Sequence, residues 1–73
     1  MALIDVKTEI TGVIQMIVQG AGASVDEDEP VIMLESMKMQ IPIAAPESGT
    51  VAEILVEPGD TVTEGSVVAR IEA

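Results

Sequence analysis

Residues 49–62 have the sequence Gly-Thr-Val-Ala-Glu-Ile-Leu-Val-Glu-Pro-Gly-Asp-Thr-Val, and a related stretch begins 37 residues earlier. At this offset, seven of the 25 positions in residues 12–36 are identical to their counterparts. The identical pairs are Gly12/Gly49, Ile17/Ile54, Gly22/Gly59, Val25/Val62, Glu27/Glu64, Val31/Val68 and Glu35/Glu72. Random pairing would give roughly two identities. The chain therefore contains two copies of one unit, over about residues 11–36 and 48–73.

Each copy contains runs of apolar, mostly β-branched residues that are typical of β-strands. Glycine or proline bounds these runs, which cover residues 12–19, 31–35, 50–57 and 67–71. No segment has the sustained 3.6-residue apolar periodicity of a helix. The strict alternation of apolar side chains breaks at the same place in both copies, after Ile14 and after its counterpart Val51. A three-residue step on one face of a strand predicts a β-bulge there.

Two similar β units that cannot each bury an apolar face alone should pack against each other around a pseudo-two-fold axis. We therefore predict a single all-β domain over residues 1–73, built as a flattened barrel or sandwich. The same symmetry predicts that residues 36–40, at the end of the first copy, and Ala73, at the end of the second, lie at opposite ends of the domain.

The composition excludes several classes of function. The 73 residues include no cysteine, histidine or aromatic residue, which removes disulfides, thiolate zinc sites, the commonest general base and base-stacking modules. The net charge of −10 would repel nucleic acid and anionic membranes. The acidic run 26–29 lacks the spacing of a calcium loop, so a solvated loop is expected and no metal site. No serine has a histidine base, so no catalytic residue is predicted.

The chain shows neither a signal-peptide core nor an apolar run long enough to span a membrane. We therefore expect a cytoplasmic protein. Its initial methionine favours a complete small protein over a domain cut from a larger enzyme. We expect it to be monomeric on its own.

The two copies meet at Glu35-Ser36-Met37-Lys38-Met39. Strand-like sequence on both sides predicts that Met37 and Lys38 form the tip of a hairpin. A tight hairpin turn normally contains Asn-Gly or Asp-Gly, because φ is positive there, so Met-Lys breaks a local rule and suggests a functional constraint. One methionine could instead pack in the core, since neighbouring strand residues alternate between faces. Exposed methionines at a tip would indicate contact with another protein.

This segment resembles the Glu-Ala-Met-Lys-Met signature of biotinyl domains, with Ser36 in place of the alanine. Gly12, the Pro-Glu-Ser-Gly sequence of residues 46–49 and the Pro-Gly-Asp-Thr-Val sequence of residues 58–62 also fit the biotinyl/lipoyl pattern. The resemblance extends over most of the chain. A Met-Lys-Met triplet alone is a weak motif, but at the midpoint of an internal duplication it is a strong one.

The resemblance implies the barrel-sandwich hybrid fold, with two four-stranded antiparallel sheets and a modified lysine at a β-hairpin turn. It also implies that a biotin protein ligase attaches biotin, the implied cofactor, to Lys38. A biotin carboxylase would load a carboxylate, and a carboxyltransferase would pass it on. The chain would be a swinging-arm carrier that is not itself an enzyme. Glu35, Met37 and Met39 would be recognised by the ligase.

Two other hypotheses remain from the sequence. Lipoyl domains share the fold but typically have Asp-Lys-Ala at the turn, so Met37 and Met39 favour biotin over lipoate. The second hypothesis is therefore a lipoyl carrier, lipoylated on Lys38. The third is an unmodified module that only mediates assembly, in which Lys38 is an ordinary exposed lysine. The mass of the attached group distinguishes the three.

Overall fold

The computed structural model describes residues 2–73, which form eight β-strands. The strands are β1 (Leu3–Lys7), β2 (Gly12–Ile17), β3 (Ser24–Val25), β4 (Pro30–Ser36), β5 (Met39–Ala44), β6 (Gly49–Ile54), β7 (Thr61–Val62) and β8 (Val67–Glu72). They form two four-stranded antiparallel sheets, ordered β1-β8-β6-β3 and β5-β4-β2-β7. The predicted fold class is confirmed. Met1, the first residue of the predicted domain, lies outside the described residues.

The 37-residue offset of the repeat relates one sheet to the other. It relates β2 to β6, β3 to β7 and β4 to β8, and it also relates the two edge strands β1 and β5. Each sheet contains two strands from residues 2–36 and two from residues 39–73. Neither copy can therefore complete a sheet without the other. Within residues 2–73, no helix is long and apolar enough to cross a membrane.

The two predicted bulges are confirmed. The register between β2 and β4 shifts between Ile14 and Met16, and the register between β6 and β8 shifts between Val51 and Glu53. The strands end at Ile17 and Ile54, earlier than the apolar runs predicted. The apolar runs also did not identify β1, β3 and β7. Strands β3 and β7 have two residues each, which is too short to show a period of two.

The core lies between the two sheets and follows the repeat. Among residues 2–73, thirteen hydrophobic residues are buried, most of them valine, isoleucine or leucine. Ile14 and Leu34 on one sheet correspond to Val51 and Ile71 on the other, and all four are at most 1% exposed. The buried polar side chain of Thr8 is satisfied locally, because its Oγ1 donates to the Ile10 carbonyl oxygen at 2.7 Å. Each of the eight strands thus contributes at least one buried side chain to one shared core.

The predicted separation of the β4–β5 turn from the C-terminus is also found. Ser36 Oγ donates to the Thr11 carbonyl oxygen, and Thr11 Oγ1 accepts from the Glu64 amide, so β8 begins close to this turn. β8 then continues for six residues, about 20 Å of extended chain. At its far end Ala2 and Ala73 exchange two backbone hydrogen bonds. The chain ends and the turn therefore lie at opposite ends of the domain.

Leu34→Ala is expected to lower the free energy of unfolding by about 3 kcal/mol, because truncating a fully buried leucine leaves a cavity. Leu34 has no exposed surface, whereas Ile54 is only partly buried. Ile54→Ala should therefore cost about half as much. Urea unfolding followed by circular dichroism measures both, since the chain has no aromatic fluorophore. Equal losses in the two variants would contradict the difference in burial.

Candidate attachment site at the β4–β5 turn

β4 and β5 are joined by a two-residue turn formed by Met37 and Lys38, which confirms the predicted hairpin tip. Ser36 pairs with Met39 to close the turn. The φ angles of Met37 and Lys38 are 51° and 66°, and two positive values match a type I′ turn, whose twist suits a hairpin. A left-handed conformation costs a non-glycine residue about 1 kcal/mol. The paired strands therefore hold both residues in conformations that they would not favour alone.

The Lys38 side chain is exposed, and it forms no hydrogen bond or ion pair with any residue in the described part of the chain. Arg70, by contrast, lies 2.7 Å from a Glu53 carboxylate oxygen and 3.1 Å from one of Asp5. The pKa of the Arg70 guanidinium is raised, mainly by the hydrogen bond to Glu53 and to a smaller extent by the hydrogen bond to Asp5. The only other lysine, Lys7, lies on β1. The turn thus presents a primary amine with no carboxylate bound to it.

Both methionines beside Lys38 are exposed. Met37 is 90% exposed and Met39 is 63% exposed. Neither therefore packs in the core, although the alternation of strand faces allowed that position for one of them. Methionine is flexible and polarizable, which suits it to surfaces that other proteins contact. Glu35, the third residue expected to be recognised, is exposed and pairs with Gln40, one step below the residues that close the turn.

Two residues that sequence reasoning did not assign to the site support the hairpin from below. Ser36 Oγ donates to the Thr11 carbonyl oxygen at 2.9 Å, which fastens the end of β4 to the segment before β2. An alanine at this position could not form that bond. Gly12 permits close packing at the same place, since a Cβ there would lie 2.5 Å from the Glu35 carbonyl oxygen. The sequence did contain a signal for this role, because Ser36 has a hydroxyl where the biotinyl signature has alanine.

The acidic run 26–29 forms its own local contacts. The Glu29 carboxylate accepts hydrogen bonds from the Gln19 side-chain amide at 3.0 Å and from the Asp26 backbone amide at 2.9 Å. Asp28 has a φ of 70°, and its repeat counterpart Gly65 has a φ of 88°. No group of three or more acidic side chains in residues 2–73 is arranged to hold a metal ion. Glu29 therefore orders this turn through hydrogen bonds.

Met37→Asn is expected to raise the free energy of unfolding by about 0.5 kcal/mol, because asparagine adopts the left-handed region more readily than methionine. Met37→Leu, which keeps an apolar side chain of similar size, should leave stability unchanged. Thermal unfolding followed by circular dichroism compares the two variants with the wild type. Destabilisation by asparagine would show that the exposed Met37 side chain contributes to folding.

Known proteins resemble both this fold and this sequence. The biotin/lipoyl family model, described as "Biotin-requiring enzyme", matches residues 5–71. The biotinylated protein TB7.3 homolog of Mycobacterium leprae is 34% identical over 67 residues, which cover 92% of this chain and 94% of the relative.

Solved structures extend the comparison. The crystal structure of Kluyveromyces lactis urea carboxylase matches 99% of this chain with a TM-score of 0.94 and 33% identity. The lipoyl domain of the 2-oxoglutarate dehydrogenase complex from Azotobacter vinelandii matches with a TM-score of 0.77 and 26% identity, over 96% of both chains. This chain spans 6% of the urea carboxylase and nearly all of the lipoyl domain and of the mycobacterial protein. With the family model matching residues 5–71, the chain belongs to the biotin/lipoyl attachment domain family.

Proposed function

We propose that this chain is a biotin carrier and that Lys38 is the residue to which biotin is attached. The observation that carries the proposal is the exposed Lys38 amine on a two-residue turn, between two exposed methionines. Converting the amine to an amide would break no hydrogen bond or ion pair among residues 2–73. The residues present therefore fit the group, and attachment changes the net charge from −10 to −11.

The paired strands contribute rigidity to the attachment step. A biotin protein ligase must bring an activated acyl carbon to Lys38 Nζ, where an amide bond forms and the activating group leaves. An ordered turn presents the amine in a single geometry. The reaction is therefore favoured compared with that of an amine on a flexible tail. Met37, Met39 and Glu35 offer the ligase two apolar side chains and one carboxylate close to the amine.

The chain then acts as the body of a swinging arm. When attached, biotin supplies the ring that carries a carboxylate from a biotin carboxylase to a carboxyltransferase. A tether fixed at Lys38 raises the effective concentration of the arm at both active sites. The likeness to one small part of a urea carboxylase supports carboxylase partners. In this proposal the chain catalyses no step and works as a cytoplasmic monomer.

A lipoyl carrier is the second candidate, because the match to a lipoyl domain covers almost the whole of both chains. In that case the same Lys38 amine would receive lipoate. The methionines at 37 and 39 favour biotin, since lipoyl domains typically have Asp-Lys-Ala at this turn. An unmodified assembly module is the third candidate.

Intact mass spectrometry of the wild-type chain distinguishes the three candidates. The chain is co-expressed with a biotin protein ligase in one culture and with a lipoate ligase in another. We expect the mass of one biotinyl group in the first culture, with binding to streptavidin. A lipoyl mass without biotin would support the second candidate, and an unmodified chain in both cultures would support the third.

A further inference from the structure

One row on the outer face of the sheet β1-β8-β6-β3 consists of charged residues. Asp5, Arg70 and Glu53 are cross-strand neighbours on β1, β8 and β6. The guanidinium of Arg70 lies between the two carboxylates and binds both of them. This row is therefore polar, and its charges are largely compensated within the sheet.

The equivalent row of the other sheet is apolar. The positions that correspond by the 37-residue offset hold Met16, Met33 and Pro42, which are also cross-strand neighbours. Met16 is 51% exposed, Pro42 is exposed and Met33 is half-buried. Val13, 39% exposed, lies one row nearer the turn. We call these four residues the methionine face; the internal repeat shows that the fold itself does not require apolar residues there.

The methionine face is continuous with the lysine turn. β4 carries Met33 in this face and reaches the turn three residues later, at Ser36, a distance of about 10 Å along the strand. The row that contains Val13, Glu35 and Gln40 lies between Met33 and the turn. A protein that holds Lys38 in its active site and rests on this sheet therefore lies over the methionine face.

The charges around this face favour a partner with basic groups at its rim. Glu35 lies beside Val13, and the loop that runs along β2 contains the exposed carboxylates of Glu57 and Asp60. The strands of this sheet carry no basic residue among those described. A second copy of the chain, with its own charge of −10, would be repelled. Apolar contact at the centre and basic residues at the rim would instead complement the face.

We infer that the methionine face is the surface through which the biotin protein ligase binds the domain before it acylates Lys38. This inference rests on the proposed function. An enzyme that acylates Lys38 must approach to within the length of one lysine side chain, so it contacts the body of the domain around the hairpin. Enzymes that later use the attached arm reach it through the added length of the tether, so their approach to this surface is less constrained.

The double variant Met16→Glu/Met33→Arg tests the inference. It builds the Glu53–Arg70 pair of the opposite sheet at the equivalent positions. The net charge is therefore preserved, and we expect the fold to be preserved because the equivalent sheet carries this pair. We expect kcat/KM for biotinylation by a purified biotin protein ligase to fall about tenfold, through a higher KM with unchanged kcat. Glu53→Met/Arg70→Met, which makes the complementary exchange on the other sheet, should retain the wild-type kcat/KM.

Several outcomes would overturn the inference. Equal kcat/KM for the wild type and Met16→Glu/Met33→Arg would show that the ligase does not bind through the methionine face. Biotinylation of the wild type in the same experiment would still support the proposed function. An unlabelled wild type would overturn both. If sedimentation showed a wild-type dimer that the double variant abolishes, a second copy would be the occupant instead. If circular dichroism shows that the double variant does not fold, Met16→Gln alone replaces it. We expect kcat/KM for biotinylation of Met16→Gln to fall about threefold, again through a higher KM.

Discussion

Lys38→Arg is expected to abolish biotin attachment completely, while the free energy of unfolding stays within about 0.5 kcal/mol of the wild type. Arginine keeps the positive charge but its guanidinium remains protonated and cannot serve as the nucleophile that the ligase requires. Stability is unaffected because Lys38 is exposed and unbonded among the described residues. Streptavidin blotting and intact mass after co-expression with the ligase measure attachment, and urea unfolding measures stability.

The matched control for this variant is Lys7→Arg, which changes the only other lysine of the chain. Lys7 is exposed on edge strand β1 and pairs with Val67 of β8. We expect Lys7→Arg to be labelled to the wild-type extent. Labelling that persists in Lys38→Arg, or that disappears in Lys7→Arg, would move the attachment site away from the turn. A large loss of stability in Lys38→Arg would instead assign Lys38 a structural role.

Gly49→Ala is expected to lower the free energy of unfolding by about 4 kcal/mol, which is comparable with the total stability of so small a domain. A Cβ on Gly49 would overlap the backbone carbonyl oxygen of Glu72 and lie 2.8 Å from Cγ2 of Ile71. The carbonyl can move only if β6 separates from β8, and these two strands form the centre of their sheet. Urea unfolding followed by circular dichroism measures the loss.

Substitutions of two further glycines serve as comparisons for the stability of Gly49→Ala. Gly12→Ala should be destabilising for the same reason, because a Cβ there meets Glu35 and Leu34 of the neighbouring strand. Gly20→Ala should instead raise stability by up to about 0.5 kcal/mol, since it reduces the freedom of the unfolded chain. A Cβ on Gly20 has no neighbour within 4 Å, and its φ lies outside the left-handed region. A wild-type-like Gly49→Ala would contradict the close approach of β6 and β8.

Much of the attachment site follows from local sequence. The offset of 37 residues establishes two equivalent β units, and the broken alternation after Ile14 and Val51 locates both bulges. The position of Met37-Lys38 between strand-like segments is enough to predict a hairpin tip. The bulges and the hairpin depend on residues that are close in the chain, so the periodicity of the flanking strand segments reports them directly.

Only the tertiary structure decided which surfaces the two units cover. Each sheet takes two strands from residues 2–36 and two from residues 39–73, and most of these pairings join residues far apart in the chain, which no local pattern specifies. The exposure of Met37 and Met39, the bond from Ser36 to Thr11 and the close approach at Gly49 depend on those pairings. So does the contrast between a charged row on one sheet and the methionine face on the other. The sequence by itself therefore determined the repeat and the lysine, while non-local strand pairing determined the surface that surrounds it.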